Sequence, residues 1–195
     1  MATATLNSPV TLEEFLRLSD ETPEGQTLEL IEGELRARPM TTRRPRHTRA
    51  FVQTSRVLAN WLEQAAQRGV VDGAEVRVRL CKDPQTIVGI DVAVWLGEEF
   101  EDISHDPSQY DVPPAIAIEI LSASDTHEMV VEKLDLFLRY GVKQAWIVDA
   151  DMQTVTVYRP DREPEFFTAS QMLTAEPELP GFKVQVRRLL QAHSA

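Results

Sequence analysis

The chain has 195 residues, 43% hydrophobic and 26% charged, with a formal net charge of −11. That length suits one domain spanning 1–195 around one buried core, and the balance of apolar and charged residues is ordinary for a soluble globular protein. The acidic total argues against a protein that coats nucleic acid nonspecifically, and one cysteine, Cys81, allows no internal disulfide and no zinc cluster.

Met1 to Val10 lacks the basic start and apolar core of a signal peptide, and no apolar run approaches membrane-spanning length, so a cytoplasmic protein with a flexible stretch over 1–10 and no membrane partner is expected. Thr11-Leu12-Glu13-Glu14 is a capping-box pattern that starts a short amphipathic helix ending near Ser19. Leu28 to Leu35 reads as two strands reversing at Glu32-Gly33, an edge hairpin with three glutamates. Between Arg36 and Arg49 lie six arginines, His47 and no acid. This basic segment on an acidic body is either an anion footprint or a solvated loop and helix start.

A helical stripe (Phe51, Ser55, Leu58, Leu62, Ala65) spans about Arg46 to Arg68, with Gly69 as its stop. Glu75 to Leu80 alternates polar and apolar, as a strand with one solvated face does. Ile87 to Trp95 reads as a buried strand in which Val88, Ile90, Val92 and Val94 share one face, while Asp91 sits mid-strand between Gly89 and Ala93 on the other. Glu98 to Pro113 is acidic and aperiodic, a surface excursion. A second buried strand, Ala115 to Leu121, repeats the oddity: Ile116, Ile118 and Ile120 form one face, and Glu119 lies among alanines on the other. A lone buried acid is usually structural, but two in matched settings point to a site.

Ser124 or Asp125 is a candidate cap for a helix from about His127 to Tyr140, on which Lys133 falls at the shoulder of the apolar stripe. There it can cover apolar surface or reach back toward the sheet. Strands follow at Gln144–Val148, Thr154–Tyr158 and Glu165–Thr168, then a Pro180-Gly181 turn and an apolar segment from Phe182 to Leu190. Element order predicts an α/β or α+β core with a mixed sheet. Two carboxylates on adjacent strands with a lysine nearby suit phosphodiester hydrolysis assisted by a divalent cation, Mg²⁺ (or Mn²⁺). There is no nucleophile elbow, phosphate loop or dinucleotide fingerprint.

The hairpin Leu28 to Leu35, His47 at the long helix, Ile90-Asp91-Val92, Pro114 to Ser122, Lys133 with Tyr140, and Ala145-Trp146-Ile147-Val148-Asp149, taken in order, resemble the Uma2 family. These are bacterial restriction-endonuclease-like proteins of the PD-(D/E)xK superfamily. The resemblance covers about Thr11 to Tyr158 with the Leu179-Pro180-Gly181 turn. It implies an α/β restriction-endonuclease-like core with a central mixed β-sheet flanked by helices, preceded by a helix and β-hairpin, and Mg²⁺-dependent nuclease activity on nucleic acid, DNA first. Asp91 matches the motif aspartate and Glu119 the acid of the (D/E)xK element, both as metal ligands. Leu121 stands where the motif lysine belongs, and Lys133 is the candidate substitute. Glu34, and after it Glu29, is the candidate auxiliary acid, and Arg43, Arg44, Arg46 and His47 are the candidate phosphate contacts. Ile90 stands where the pattern favours proline. The competing reading is a catalytically silent nucleic-acid- or protein-binding domain that keeps the nuclease fold; either is compatible with a homodimer.

Overall fold

The computed structural model describes residues 10–40, 43–97 and 108–191. Thr11 caps the first helix, α1 (Leu12–Asp20), by accepting from the Glu14 amide at 3.2 Å, and Phe15 is the side chain α1 buries. The hairpin β1 (Gln26–Ile31) and β2 (Glu34–Pro39) reverses through Glu32 and Gly33, both at positive φ. Helix α2 (Pro45–Gln64) opens with proline, which has no amide to leave unpaired. It stops four residues short of the expected end, and Ala66 turns at φ 50°.

Two long strands, β3 (Gly69–Lys82) and β4 (Gln85–Leu96), pair antiparallel. Strand β5 (Ile116–Ile120) crosses through α3 (His127–Arg139) to a parallel β6 (Gln144–Asp149), the connection that parallel pairing requires. The N-cap of α3 is Thr126, which accepts from Met129, rather than Ser124 or Asp125. Asp125 instead accepts from the Ser122 amide at 2.6 Å. β7 (Thr154–Arg159) and β8 (Arg162–Thr168) complete the main sheet. A small sheet of β9 (Met172–Thr174) and β10 (Lys183–Gln185) precedes the one-turn α4 (Arg187–Leu190). Part of the excursion expected over 98–113 lies outside the described residues. Its return lines the edge of β3, where Tyr110 exchanges backbone hydrogen bonds with Arg77 and Arg79.

The sheet runs β2-β1-β4-β5-β6-β7-β8, with β3 also on β4. Its faces carry separate cores. One packs Ile116, Ile118, Ile120 and Trp146 against Ala50 and Leu58 of α2 and the C-terminal elements. The other packs Ala117, Ala145 and Ile147 against Leu134, Leu136 and Phe137 of α3. No helix among the described residues is long and apolar enough to cross a membrane.

Two irregularities in β4 position everything that follows. Opposite Asp91, β3 spends two residues where β4 spends one: Gly73 pairs with Val92 and Val76 with Ile90, leaving Ala74 and Glu75 in between. Both bulge residues adopt left-handed backbone, φ 64° and 61°, a conformation that costs a non-glycine residue about 1–3 kcal/mol. The alternation of β4 slips at the same place, because Val88 and Ile90 pack with Ala93 and Trp95 on the α3 side whereas Val92 and Val94 face α2. The single apolar face expected from 88 to 94 is therefore corrected: the bulge turns the strand over at Asp91.

The second irregularity is a gap. On the edge of β4 away from β3, β1 pairs only at Leu30–Ile87 and β5 only from Val92–Ile118 to Val94–Ile116. The β4–β5 register, carried one step further, would set Asp91 opposite Glu119, and there the ladder ends. Because Ile118 is fully buried beside this break, Ile118→Ala should lower unfolding free energy by about 2–5 kcal/mol in urea titration, whereas Val131→Ala, at a half-exposed helical position, should change it by less than about 0.5 kcal/mol.

Candidate active site

Where the ladder stops, side chains take over. Asp91 Oδ2 accepts from the Ile120 amide at 2.9 Å, so the carboxylate of β4 replaces the next backbone carbonyl. Asp91 is only 5% exposed. Burial pushes its carboxyl up, but the His47 ring, the Ile120 amide and the Lys133 charge outweigh that and hold it below the usual aspartate range. Asp91 Oδ1 makes no hydrogen bond among the described residues and lies 3.9 Å from Arg43 Nη2.

Glu119, one step along β5 from that amide, points to the α3 side. Lys133 Nζ reaches down from α3 and donates to Glu119 Oε2 at 2.8 Å; it also lies 3.9 Å from Glu29 Oε1. Glu119 Oε1 is buried with no partner among the described residues. Burial, reinforced by Asp91 and Glu75, pushes the Glu119 carboxyl well above its ordinary value despite the lysine. Burial works against the Lys133 charge, yet Glu119, Glu29 and Glu75 outweigh it and raise its pKa. The acids outnumber the lysine, so Lys133 stays an ammonium and Glu119 is the carboxylate that most resists ionisation.

Two further acids complete this cluster: Glu29, ranked behind Glu34 in the sequence, and Glu75, absent from the predicted set. Glu29 of β1 is buried and takes Arg38 Nε at 2.8 Å. Glu75 comes from the bulge opposite Asp91, pairs with Arg43 and lies over Gly89, where a Cβ would meet its Oε2 at 2.6 Å. Burial, with Asp91 nearby, raises its carboxyl. The space that Gly89 leaves beside Asp91 is thus filled by Glu75. Its signals in the sequence are the two glycines, Gly73 before the bulge and Gly89 on β4 beneath its side chain.

Glu34 is corrected. It follows the β1–β2 turn, its side chain is 77% exposed, and its partner is Arg36 at 3.8 Å. Glu29 and Glu34 lie on the same face of the hairpin, but Glu29 sits mid-strand within 3.9 Å of Lys133 whereas Glu34 sits at the turn end, away from the cluster.

Next to the carboxylates, a cleft of about 300 Å³ is lined by Arg43, Arg44, Arg46, His47, Ser122 and Ser124 among others. Arg43 also lines a cleft of about 90 Å³ that contains Glu75, Asp91, Glu119 and Lys133. Arg44 is exposed and makes no ion pair among the described residues, and Arg46 is held loosely by exposed Asp151 at 3.4 Å. Arg36 and Arg38 are engaged by Glu132 of α3 and so belong to the scaffold. His47 is buried, its Nε2 lies 3.6 Å from Asp91 Oδ2, and neither ring nitrogen has a hydrogen-bond partner among the described residues.

This donor set suits a hard divalent cation. Mg²⁺ is bound through one or two carboxylates and keeps several waters, and among the described residues Glu119 Oε1 has no partner and Asp91 Oδ1 has only the Arg43 guanidinium at 3.9 Å. No three acidic, histidine or cysteine side chains among the described residues are grouped to hold a metal as they stand; Arg43 and Lys133 supply the positive charge between the acids.

A family model described as "Putative restriction endonuclease", Uma2, matches residues 12–187. The chain belongs to the Uma2 family. A crystal structure of a "putative nuclease belonging to DUF820" from Anabaena variabilis ATCC 29413 superposes with a TM-score of 0.71 at 24% identity, covering 93% of this chain and 98% of that one. No curated protein matches significantly. The fold is therefore that of a Uma2 protein, a large mixed sheet flanked by helices. In this Uma2 chain, the position two residues after Glu119 is the partly buried Leu121, and the ammonium arrives from α3 instead.

Removing that ammonium tests the electrostatics. In Lys133→Met, Glu119 and Glu29 lose their shared cation, which should cost about 3–5 kcal/mol near neutral pH. A carboxyl whose folded pKa lies above its unfolded value costs nothing below the unfolded value, and its cost is complete above the folded one. The penalty should therefore shrink as pH falls toward the ordinary 4.5 of glutamate. Urea unfolding of both proteins at about pH 7 and about pH 5 reads this directly.

Proposed function

We propose that this Uma2 protein is a divalent-metal-dependent nuclease that hydrolyses nucleic-acid phosphodiester bonds, DNA first. The observation that carries the reading is the end of the β4–β5 ladder, where Asp91 and Glu119 stand side by side, each with one oxygen that makes no hydrogen bond among the described residues, and Lys133 lies over the second acid. Asp91 and Glu119 would hold the cation. When bound, it supplies Lewis-acid polarisation of the phosphate and a lowered pKa for attacking water. Lys133, kept charged by its three acidic neighbours, faces the same cleft, where it stabilises the negative charge that develops as the P–O bond breaks. Arg43, Arg44 and Arg46 line the adjoining cleft and would hold the backbone phosphates on the approach to the carboxylates. The acidic remainder of the surface repels the backbone, so productive contact is confined to this basic segment. We further propose a cytoplasmic location and a homodimeric state.

The alternative, a silent binding domain, draws on one observation: among the described residues, the ammonium at the carboxylate pair, Lys133, is already in an ion pair with Glu119. The two readings separate in one assay. Purified protein with supercoiled plasmid should nick or linearise it in Mg²⁺ or Mn²⁺ and not in chelator, and Asp91→Asn or Glu119→Gln should lower the rate roughly 10²-fold or more. Metal-independent binding without cleavage, unchanged in these variants, would favour the silent domain. Arg44→Ala and Arg46→Ala should leave metal binding intact, weaken DNA binding, and each reduce the salt slope of log K by about 1.

A further inference from the structure

Glu75 is the acid that the motif comparison does not account for, and the chain arranges its backbone to place it. Two consecutive non-glycine residues, Ala74 and Glu75, are held at positive φ opposite Asp91, and Gly89, two residues before Asp91 on β4, lacks the Cβ that would meet the Glu75 carboxylate at 2.6 Å. Backbone held in so sparsely populated a region at a cleft is a recurrent mark of a functional side chain. In the cleft, Glu75 joins Asp91 and Glu119, and the three carboxylates are close enough to perturb one another.

A second observation points to a missing ligand. His47 is 6% exposed, neither of its ring nitrogens has a partner among the described residues, and its Nε2 faces Asp91 Oδ2 at 3.6 Å. Buried polar atoms normally find partners, so among the described residues this ring and Glu119 Oε1 retain capacity for a ligand in the cleft.

Arg43 explains how three acids tolerate each other meanwhile. Its Nη2 pairs with Glu75 Oε1 and lies 3.9 Å from Asp91 Oδ1, so one guanidinium nitrogen sits between two acids. Arg43 also lines the basic cleft, so a guanidinium released from the acids has an anion-binding surface beside it.

We infer that Glu75 is a third acidic ligand of the cation site, and that the Arg43 guanidinium holds that place until a divalent cation displaces it toward the basic cleft. The inference rests on the reading of Asp91 and Glu119 as cation-holding carboxylates. Cation and Arg43 then compete for the same oxygens, and cation binding frees a phosphate contact at the moment the substrate needs it.

The test is Mn²⁺ binding to the full chain without nucleic acid, by calorimetry and by electron paramagnetic resonance of the free ion. Outer-shell substitutions typically weaken metal sites 10- to 100-fold, so Glu75→Gln should weaken Mn²⁺ at least about tenfold. Arg43→Gln should tighten it, and Glu163→Gln, an exposed change on β8, should leave it as in wild type. Gly89→Ala, whose Cβ displaces the intact Glu75 carboxylate, should weaken it too, which covers the case in which Glu75→Gln fails to fold. Wild-type affinity in both Glu75→Gln and Gly89→Ala overturns the inference while leaving the Asp91–Glu119 reading standing. Arg43→Gln that binds no more tightly overturns the competition. A wild-type chain that binds no Mn²⁺ contradicts both the inference and the reading beneath it.

Discussion

Everything at the candidate site depends on a ladder that stops one pair early. Had β4 and β5 continued to pair, the Ile120 amide and the backbone beside Asp91 would be consumed by the sheet, and two facing acids would repel across it. Instead Asp91 itself accepts the Ile120 amide, which fixes the carboxylate and leaves its second oxygen turned to the cleft. The bulge in β3 on the other side of Asp91 is the complement of this break. It absorbs the extra residue, turns β4 over and delivers Glu75 to the same place.

The consequence is a concentration of negative charge inside a protein, which must be neutralised locally. Lys133 serves Glu119 and Glu29, Arg38 serves Glu29, and Arg43 serves Glu75. Each cation comes from a different element: α3, β2 and the segment leading into α2. The packing of these elements against the sheet is thus tied to the charge state of the site, with Glu132 on α3 adding a further link to Arg36 and Arg38 of the hairpin. Replacing one cation leaves an uncompensated buried acid, whereas a divalent cation would relieve the same repulsion from within.

Much of this was legible in the residues. Short β-branched runs with one acid each, Asp91 and Glu119, announced both strands, and the 3.6-residue stripe placed Lys133 where it could turn back to the sheet. What escaped was set by irregularity. Alternation is a rule for unbroken strands, so it misassigned the faces of β4 past Asp91 and read Glu75 as solvated. A bulge built from Ala74 and Glu75 carries no glycine at the bend itself, and only Gly73 and Gly89 hint at it. Glu34 failed for a different reason: it shares a face with Glu29, so alternation could not separate them, and only position does, Glu29 lying mid-strand near Lys133 and Glu34 beside the Glu32-Gly33 turn. The basic segment divided in the same way, since Arg36 and Arg38 are structural while Arg43, Arg44 and Arg46 line the cleft.

The central claim is that Asp91 and Glu119 form a carboxylate pair built to hold a divalent cation. A crystal soaked in Mn²⁺, with anomalous data collected near the manganese edge, tests it most directly. The account predicts a peak between Asp91 Oδ1 and Glu119 Oε1. A map with no peak there, and with Arg43 still against Asp91 and Lys133 still on Glu119, would contradict it.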